Sequence, residues 1–125
     1  MTQNLVFADE CHRIVGICME IHRILGGGLS EIVYKDALEY ELSKAGISFW
    51  REKEYAIHYK DVVLKHKFYA DFVVYHDIIL EIKVSQNISD QHITQTINYV
   101  RLTGGQLGII INFNASTLQF KRVVV

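Results

Sequence analysis

The sequence predicts a mixed α/β (α+β) fold, a single β-sheet with helices packed on its faces. Three observations lead there. Two amphipathic helical segments open the chain, separated by Gly26-Gly27-Gly28. A block rich in β-branched and aromatic residues follows over positions 47–83. One more helical segment and two apolar runs close the chain, giving the order α-α-β-β-β-α-β-β. Each element has one face to bury, and a layered sheet with helices on it does so.

The first helix is expected over residues 8–25. Phe7, Cys11, Ile14, Val15, Cys18, Ile21 and Leu25 recur at helical spacing, and the glycine triplet stops the run. Cys11 and Cys18 are too far apart for a disulfide, because seven helical residues span about 10 Å and a disulfide tolerates about 7 Å between Cα atoms. They read as buried reduced thiols. The second helix is expected over 30–46, with Ser30 as N-cap and Tyr34, Leu38, Leu42 and Ala45 facing inward.

Strands follow. Tyr55, Ile57 and Tyr59 alternate with Ala56 and His58, and Lys60-Asp61 suits a turn. Residues 62–75 read as one long strand, with 78–84 as its hairpin partner. Ser89 caps a helix expected over 90–102, ended by Gly104-Gly105. Residues 107–113 form a buried strand and 118–125 the last one.

The 125 residues make one domain, 1–125, of ordinary globular composition with 50% hydrophobic and 22% charged residues. This excludes disordered, collagen-like and coiled-coil chains. The net charge of −1 argues against a dedicated nucleic-acid coat but not against an enzyme that touches nucleic acid locally. No apolar run reaches the roughly 18 residues needed to cross a bilayer. The opening MTQNLVFADECHR lacks a basic segment followed by a long apolar stretch, so a cytoplasmic protein without a signal peptide is expected. The six histidines (His12, His22, His58, His66, His76 and His92) form no zinc-binding motif, which disfavours a zinc enzyme.

The chemistry is expected where charge interrupts apolar patterning. Glu31 stands at the end of the stripe Tyr34, Leu38, Leu42, within roughly 80° of it around the helix. That position suits a dipole-favoured first-turn acid, or an acid aimed into a site. Asp71 interrupts Phe68-Tyr69-Ala70-Asp71-Phe72-Val73-Val74-Tyr75. Glu81 and Lys83 share one face of the partner strand by its period of two. A plain ion pair of Lys83 with Glu81 or Asp71 would account for these charges without chemistry. Register separates the alternatives. Asp71 and Glu81 converge only if opposed residue numbers sum to an even value, as with a three-residue loop centred on His76; a two-residue turn sends the acids to opposite faces. Converging carboxylates would give a hard divalent ion such as Mg²⁺ an oxygen site, with Lys83 beside it to orient water and stabilise a phosphorane-like transition state. Gln95 and Tyr99 lie on one face of the third helix, either as supporting groups or as a surface glutamine beside a core tyrosine.

Together these residues resemble the PD-(D/E)XK nuclease superfamily, with Glu31, Asp71 and Glu81-Ile82-Lys83 matching its acids and lysine. Gln95-Thr96-Ile97-Asn98-Tyr99 is similar to the Q-x-x-x-Y motif of the RecB-like branch. Gly28-Leu29-Ser30-Glu31-Ile32-Val33-Tyr34 has the spacing of the small GxxExxY proteins. Two departures stand out: Ala70 replaces the proline of the superfamily name, and Tyr69 stands where relatives often carry a basic residue. The resemblance implies a restriction-endonuclease-like core and a metal-dependent nuclease acting on DNA. It implies Mg²⁺ or Mn²⁺ held by Asp71, Glu81, the Ile82 carbonyl and Glu31, with Lys83 positioning the attacking water and Gln95 and Tyr99 in support. Arg51, Lys53, Lys65 and Lys67 are candidate phosphate contacts, and a homodimer is compatible with the chain. Two other readings stay open: a catalytically silent nuclease-fold module that binds nucleic acid or a protein, and a metal-binding protein without nucleic acid.

Overall fold

Apolar spacing and glycine stops set the helices, as the computed structural model of residues 7–114 and 116–125 shows. Positions 1–6, where no signal peptide is expected, lie outside the described residues. Helix α1 (Ala8–Leu25) buries Cys11, Ile14, Val15, Cys18 and Ile21. Phe7 packs against this core, whereas Leu25, expected inward, is exposed at the helix end. Both cysteines are free and buried, as expected. Helix α2 (Glu31–Lys44) buries Tyr34, Leu38 and Leu42. Ala45, expected on the same stripe, caps the helix in solvent, and Lys35 is buried instead. Ser30 precedes the helix without a side-chain cap bond, while Ser89 closes a full capping box with His92 on α3 (Asp90–Thr103).

The strand block divides more finely than its composition suggests. Strand β1 (Phe49–Tyr55) starts well before Tyr55. A short exposed hairpin, β2 (His58–Tyr59) and β3 (Val62–Val63), turns at Lys60 and Asp61. The expected long strand over 62–75 is therefore two strands, β3 and β4 (Phe68–Val74), separated by residues 64–67. Its charged stretch Lys65-His66-Lys67 is exposed. Strands β5 (Ile78–Lys83), β6 (Leu107–Phe113) and β7 (Leu118–Val124) follow the expected runs.

One five-stranded sheet results, in the order β1-β4-β5-β6-β7. Only β5 and β6 are parallel, joined through α3; the other neighbours are antiparallel. Helices α1 and α2 cover one face, with Tyr34 stacked on Phe113 at 4.2 Å. Helix α3 covers the other, where Val100 packs with Val73 and Ile79. Gly108 lets α3 approach: a Cβ there would stand 2.6 Å from Thr96 Cγ2 and 2.9 Å from Val100 Cγ2.

The sheet contains a dislocation. Phe68, Ala70, Phe72 and Val74 would share one face of an unbroken strand. Phe72 and Val74 instead pack under α1 and α2, while Phe68 and Ala70 pack on the α3 side. Strand β4 therefore changes face at Asp71. Strand β1 does the same, with Phe49 on the α1–α2 side and Tyr55 on the α3 side. Its switch lies at Glu52, whose φ of 53° is left-handed. The pairs Arg51↔Phe72 and Lys53↔Ala70 flank the two switch residues, so the kinks are in register. A matched kink keeps both strands paired on either side while turning two acids out of the normal pleat.

Candidate active site

The register condition for convergent acids is met. Strands β4 and β5 join through Tyr75, His76 and Asp77, and Phe72 opposes Leu80. Tyr75 and His76 take φ values of 55° and 72° to make this turn. Asp71 and Glu81 are the next opposed positions, but backbone pairing stops at Phe72↔Leu80 and the strands fork. Side chains fill the fork. The Asp71 N–H donates to Glu81 Oε2 at 3.1 Å, and the Ile82 N–H donates to Asp71 Oδ2 at 2.8 Å. Each acid thus satisfies a backbone donor that the open ladder leaves unpaired.

Burial and like charge shape the acids. Glu81 is 4% exposed. Burial, then the neighbouring Asp71 carboxylate, push its pKa up to about 8, against weaker pulls from the Asp71 N–H, Lys83 and Lys35. Glu31 is solvent-exposed at the first turn of α2, yet its pKa is also raised, by partial burial and then by Asp71. Lys83 and Lys35 partly offset that rise. Asp71 and Lys83 therefore act through space on both Glu31 and Glu81.

Lys83 itself is half-buried and, among the described residues, forms no ion pair with Asp71 or Glu81. The counter-cation is Lys35. Its ammonium stands 3.1 Å from Asp71 Oδ1 and also pairs with Glu52. Burial lowers the Lys35 pKa, and Glu52 and Asp71 more than offset this, leaving it raised. Sequence reading missed both Lys35 and Glu52. Lys35 was findable: it follows Glu31 by one helical turn and sits beside Tyr34 on the inward stripe.

Helix α3 brings Gln95 and Tyr99 to the same region. The Tyr99 ring stacks on Phe68 at 3.9 Å. Its hydroxyl pKa is raised by burial and then by the charges of Glu81 and Asp71, against a hydrogen bond from Gln95. Gln95 is exposed. The pair is thus a surface glutamine joined to a core-packed tyrosine whose hydroxyl senses the acids.

Two loops hold the frame. The Tyr34 hydroxyl accepts the Leu29 N–H at 3.0 Å and donates to the Gly26 carbonyl at 2.7 Å, fixing the turn that delivers Glu31. Gly28 in that turn has a φ of 83°, which favours glycine. Behind β5, the buried Asn112 side chain accepts the Ser85 N–H and donates to the Ser85 carbonyl, both at 2.9 Å. The loop after Lys83 is therefore anchored to β6.

The candidate phosphate contacts divide. Arg51 pairs with Asp36 at 2.7 Å and Glu39 at 3.4 Å, and Lys67 pairs with Glu54 at 3.2 Å. Those two are engaged within the protein. Lys53 lies over the Trp50 ring at 4.1 Å, and Lys65 is exposed.

Carboxylate oxygens suit Mg²⁺ or Mn²⁺, and burial first, then the charge of Asp71, raises the pKa values of Glu31 and Glu81, a rise that a bound cation would oppose. The donor set fits such an ion. Among the described residues, no three His, Cys, Asp or Glu side chains form a ready-made metal cluster. Both Asp71 oxygens and one of Glu81 accept from N–H groups or Lys35.

The mixed sheet thus forks over two carboxylates, with a lysine two residues after the second. The chain belongs to the PD-(D/E)XK nuclease superfamily, whose family profile matches residues 8–123. The fold is also similar to the crystal structure of SSO0001, with a TM-score of 0.59 at 22% identity. That likeness covers 74% of this chain and 48% of the other, so the chain spans about half the length of SSO0001. No curated protein matches the chain. No helix among the described residues is long and apolar enough to cross a membrane.

Proposed function

We propose that the protein is a metal-dependent nuclease that hydrolyses phosphodiester bonds of DNA. The observation that carries this reading is the reciprocal bonding of Asp71 and Glu81 across the β4–β5 fork, beside Lys83 on the same strand. Asp71, Glu81 and the Ile82 carbonyl would hold Mg²⁺ or Mn²⁺, with Glu31 closing the site from α2. A bound divalent ion supplies Lewis-acid polarisation and offsets charge on the scissile phosphate. Lys83 orients the attacking water and places positive charge beside the phosphorus as negative charge builds there. Tyr99, steadied by Gln95, positions the phosphate from the α3 side. The Gly28, Glu31 and Tyr34 spacing supports placing the chain among the GxxExxY proteins, with the Tyr34 lock as its physical purpose. Buried free thiols suit a reducing compartment, and we place the protein in the cytoplasm as a single domain over 1–125.

One observation favours a second reading, a silent nuclease-fold module that binds nucleic acid or a protein: Lys35 already neutralises Asp71. Cleavage of labelled single- and double-stranded DNA with Mn²⁺, with EDTA, and with Glu81→Ala separates the two. Metal-dependent cleavage lost in the variant supports the nuclease. No cleavage by the wild type under any condition supports the module.

A further inference from the structure

Lys35 is a buried lysine with two acidic partners at the heart of the site. Its side chain is 9% exposed, against 16% for Asp71 and 48% for Glu52. Its ammonium lies 3.1 Å from Asp71 Oδ1, an oxygen that a divalent ion would need. Glu52 offers the same ammonium a second seat, and the left-handed backbone at Glu52 turns it toward the fork.

We infer that Lys35 is a tethered cation that holds Asp71 in the metal-free protein and moves fully onto Glu52 when a divalent ion binds, so that Lys35 and Glu52 together set the metal affinity of the site. The inference rests on the metal reading above. The chemistry is a competition between cations for one carboxylate. An ammonium on Asp71 keeps the crowded acids neutralised while no metal is present, and it must be displaced before Asp71 Oδ1 can coordinate. Glu52 lowers the cost of displacement, because the buried ammonium never has to stand unpaired. Lys35 is thus a positioning residue for the metal, distinct in role from Lys83.

The test is calorimetric titration of the full chain with Mn²⁺, using the wild type, Lys35→Met, Glu52→Gln and the double variant. Lys35→Met is expected to bind Mn²⁺ about tenfold more tightly or better, since the competitor is gone. Glu52→Gln is expected to weaken binding when Lys35 is present and to have little effect in the Lys35→Met background. That non-additivity distinguishes a seat for Lys35 from simple loss of negative charge, which would weaken binding equally in both backgrounds. Lys35→Gln replaces Lys35→Met if the latter fails to fold. If neither folds, Glu52→Gln alone decides, and unchanged or tighter binding overturns the inference. Equal affinity of wild type and Lys35→Met overturns it while leaving the metal reading intact. Absence of Mn²⁺ binding by every variant overturns both.

Discussion

Asp71 and Glu81 hold each other's strands. The Asp71 N–H donates to Glu81, and the Asp71 carboxylate accepts the N–H of Ile82, next to Glu81. The acids that would bind a metal are therefore also the groups that close the sheet where its ladder forks. Stability and chemistry are coupled at this point. Asp71→Ala removes an acceptor from the Ile82 N–H and leaves the buried Lys35 with only Glu52. Leaving the Ile82 N–H without its acceptor costs about 1–3 kcal/mol. Urea denaturation of the metal-free variant should show that loss, and a change below about 0.5 kcal/mol, the ordinary surface range, would contradict it.

Glu81 makes the metal-free protein pH-sensitive. Its folded pKa is raised from 4.5 to about 8. Within that window the folded protein keeps a proton that the unfolded chain has released. The unfolded state then binds fewer protons, so stability is full below the unfolded value and falls as pH rises toward the folded one. Denaturation of EDTA-treated protein at intervals from pH 5 to pH 8 should show a decline on the order of a few kcal/mol at most. Glu81→Gln, which cannot ionise, should flatten it.

The Tyr34 hydroxyl joins Leu29 and Gly26 across the turn before α2. Tyr34→Phe keeps the ring on Phe113 but orphans both backbone groups, at a cost of about 1–3 kcal/mol. Glu31 follows that turn directly, so cleavage should fall with stability. A variant that melts earlier yet cleaves normally would separate the turn from the site.

Gly108 sets how closely α3 sits on the sheet. The atoms that a Cβ would meet belong to Thr96 and Val100, whose short branched side chains cannot swing aside. Gly108→Ala should cost about 1–3 kcal/mol. It should also displace Tyr99 from Phe68, readable as a change in tyrosine fluorescence or near-UV circular dichroism.

Much of this was legible in the sequence. The α1 limits followed from apolar spacing and a glycine stop. The convergence of Asp71 and Glu81 reduced to the parity of one loop, and the residues around His76 satisfied it. Parity arguments assume an unbroken pleat, however. The face switch at Glu52 and Asp71 breaks that assumption, and nothing local in Arg51-Glu52-Lys53 announces a left-handed residue. Lys35 was missed for a related reason. A lysine in a helix reads as solvated until a buried acid on another element gives it a partner.

The central claim divides labour between the carboxylates, which hold the metal, and Lys83, which acts on the attacking water. Cleavage of labelled DNA as a function of Mn²⁺ concentration, for wild type, Asp71→Asn and Lys83→Ala, tests it most directly. Asp71→Asn should shift the metal requirement to higher concentration or abolish cleavage. Lys83→Ala should lose turnover by about 10²-fold or more at saturating Mn²⁺ while still binding the ion. Undiminished cleavage by either variant at the wild-type metal requirement would contradict the account.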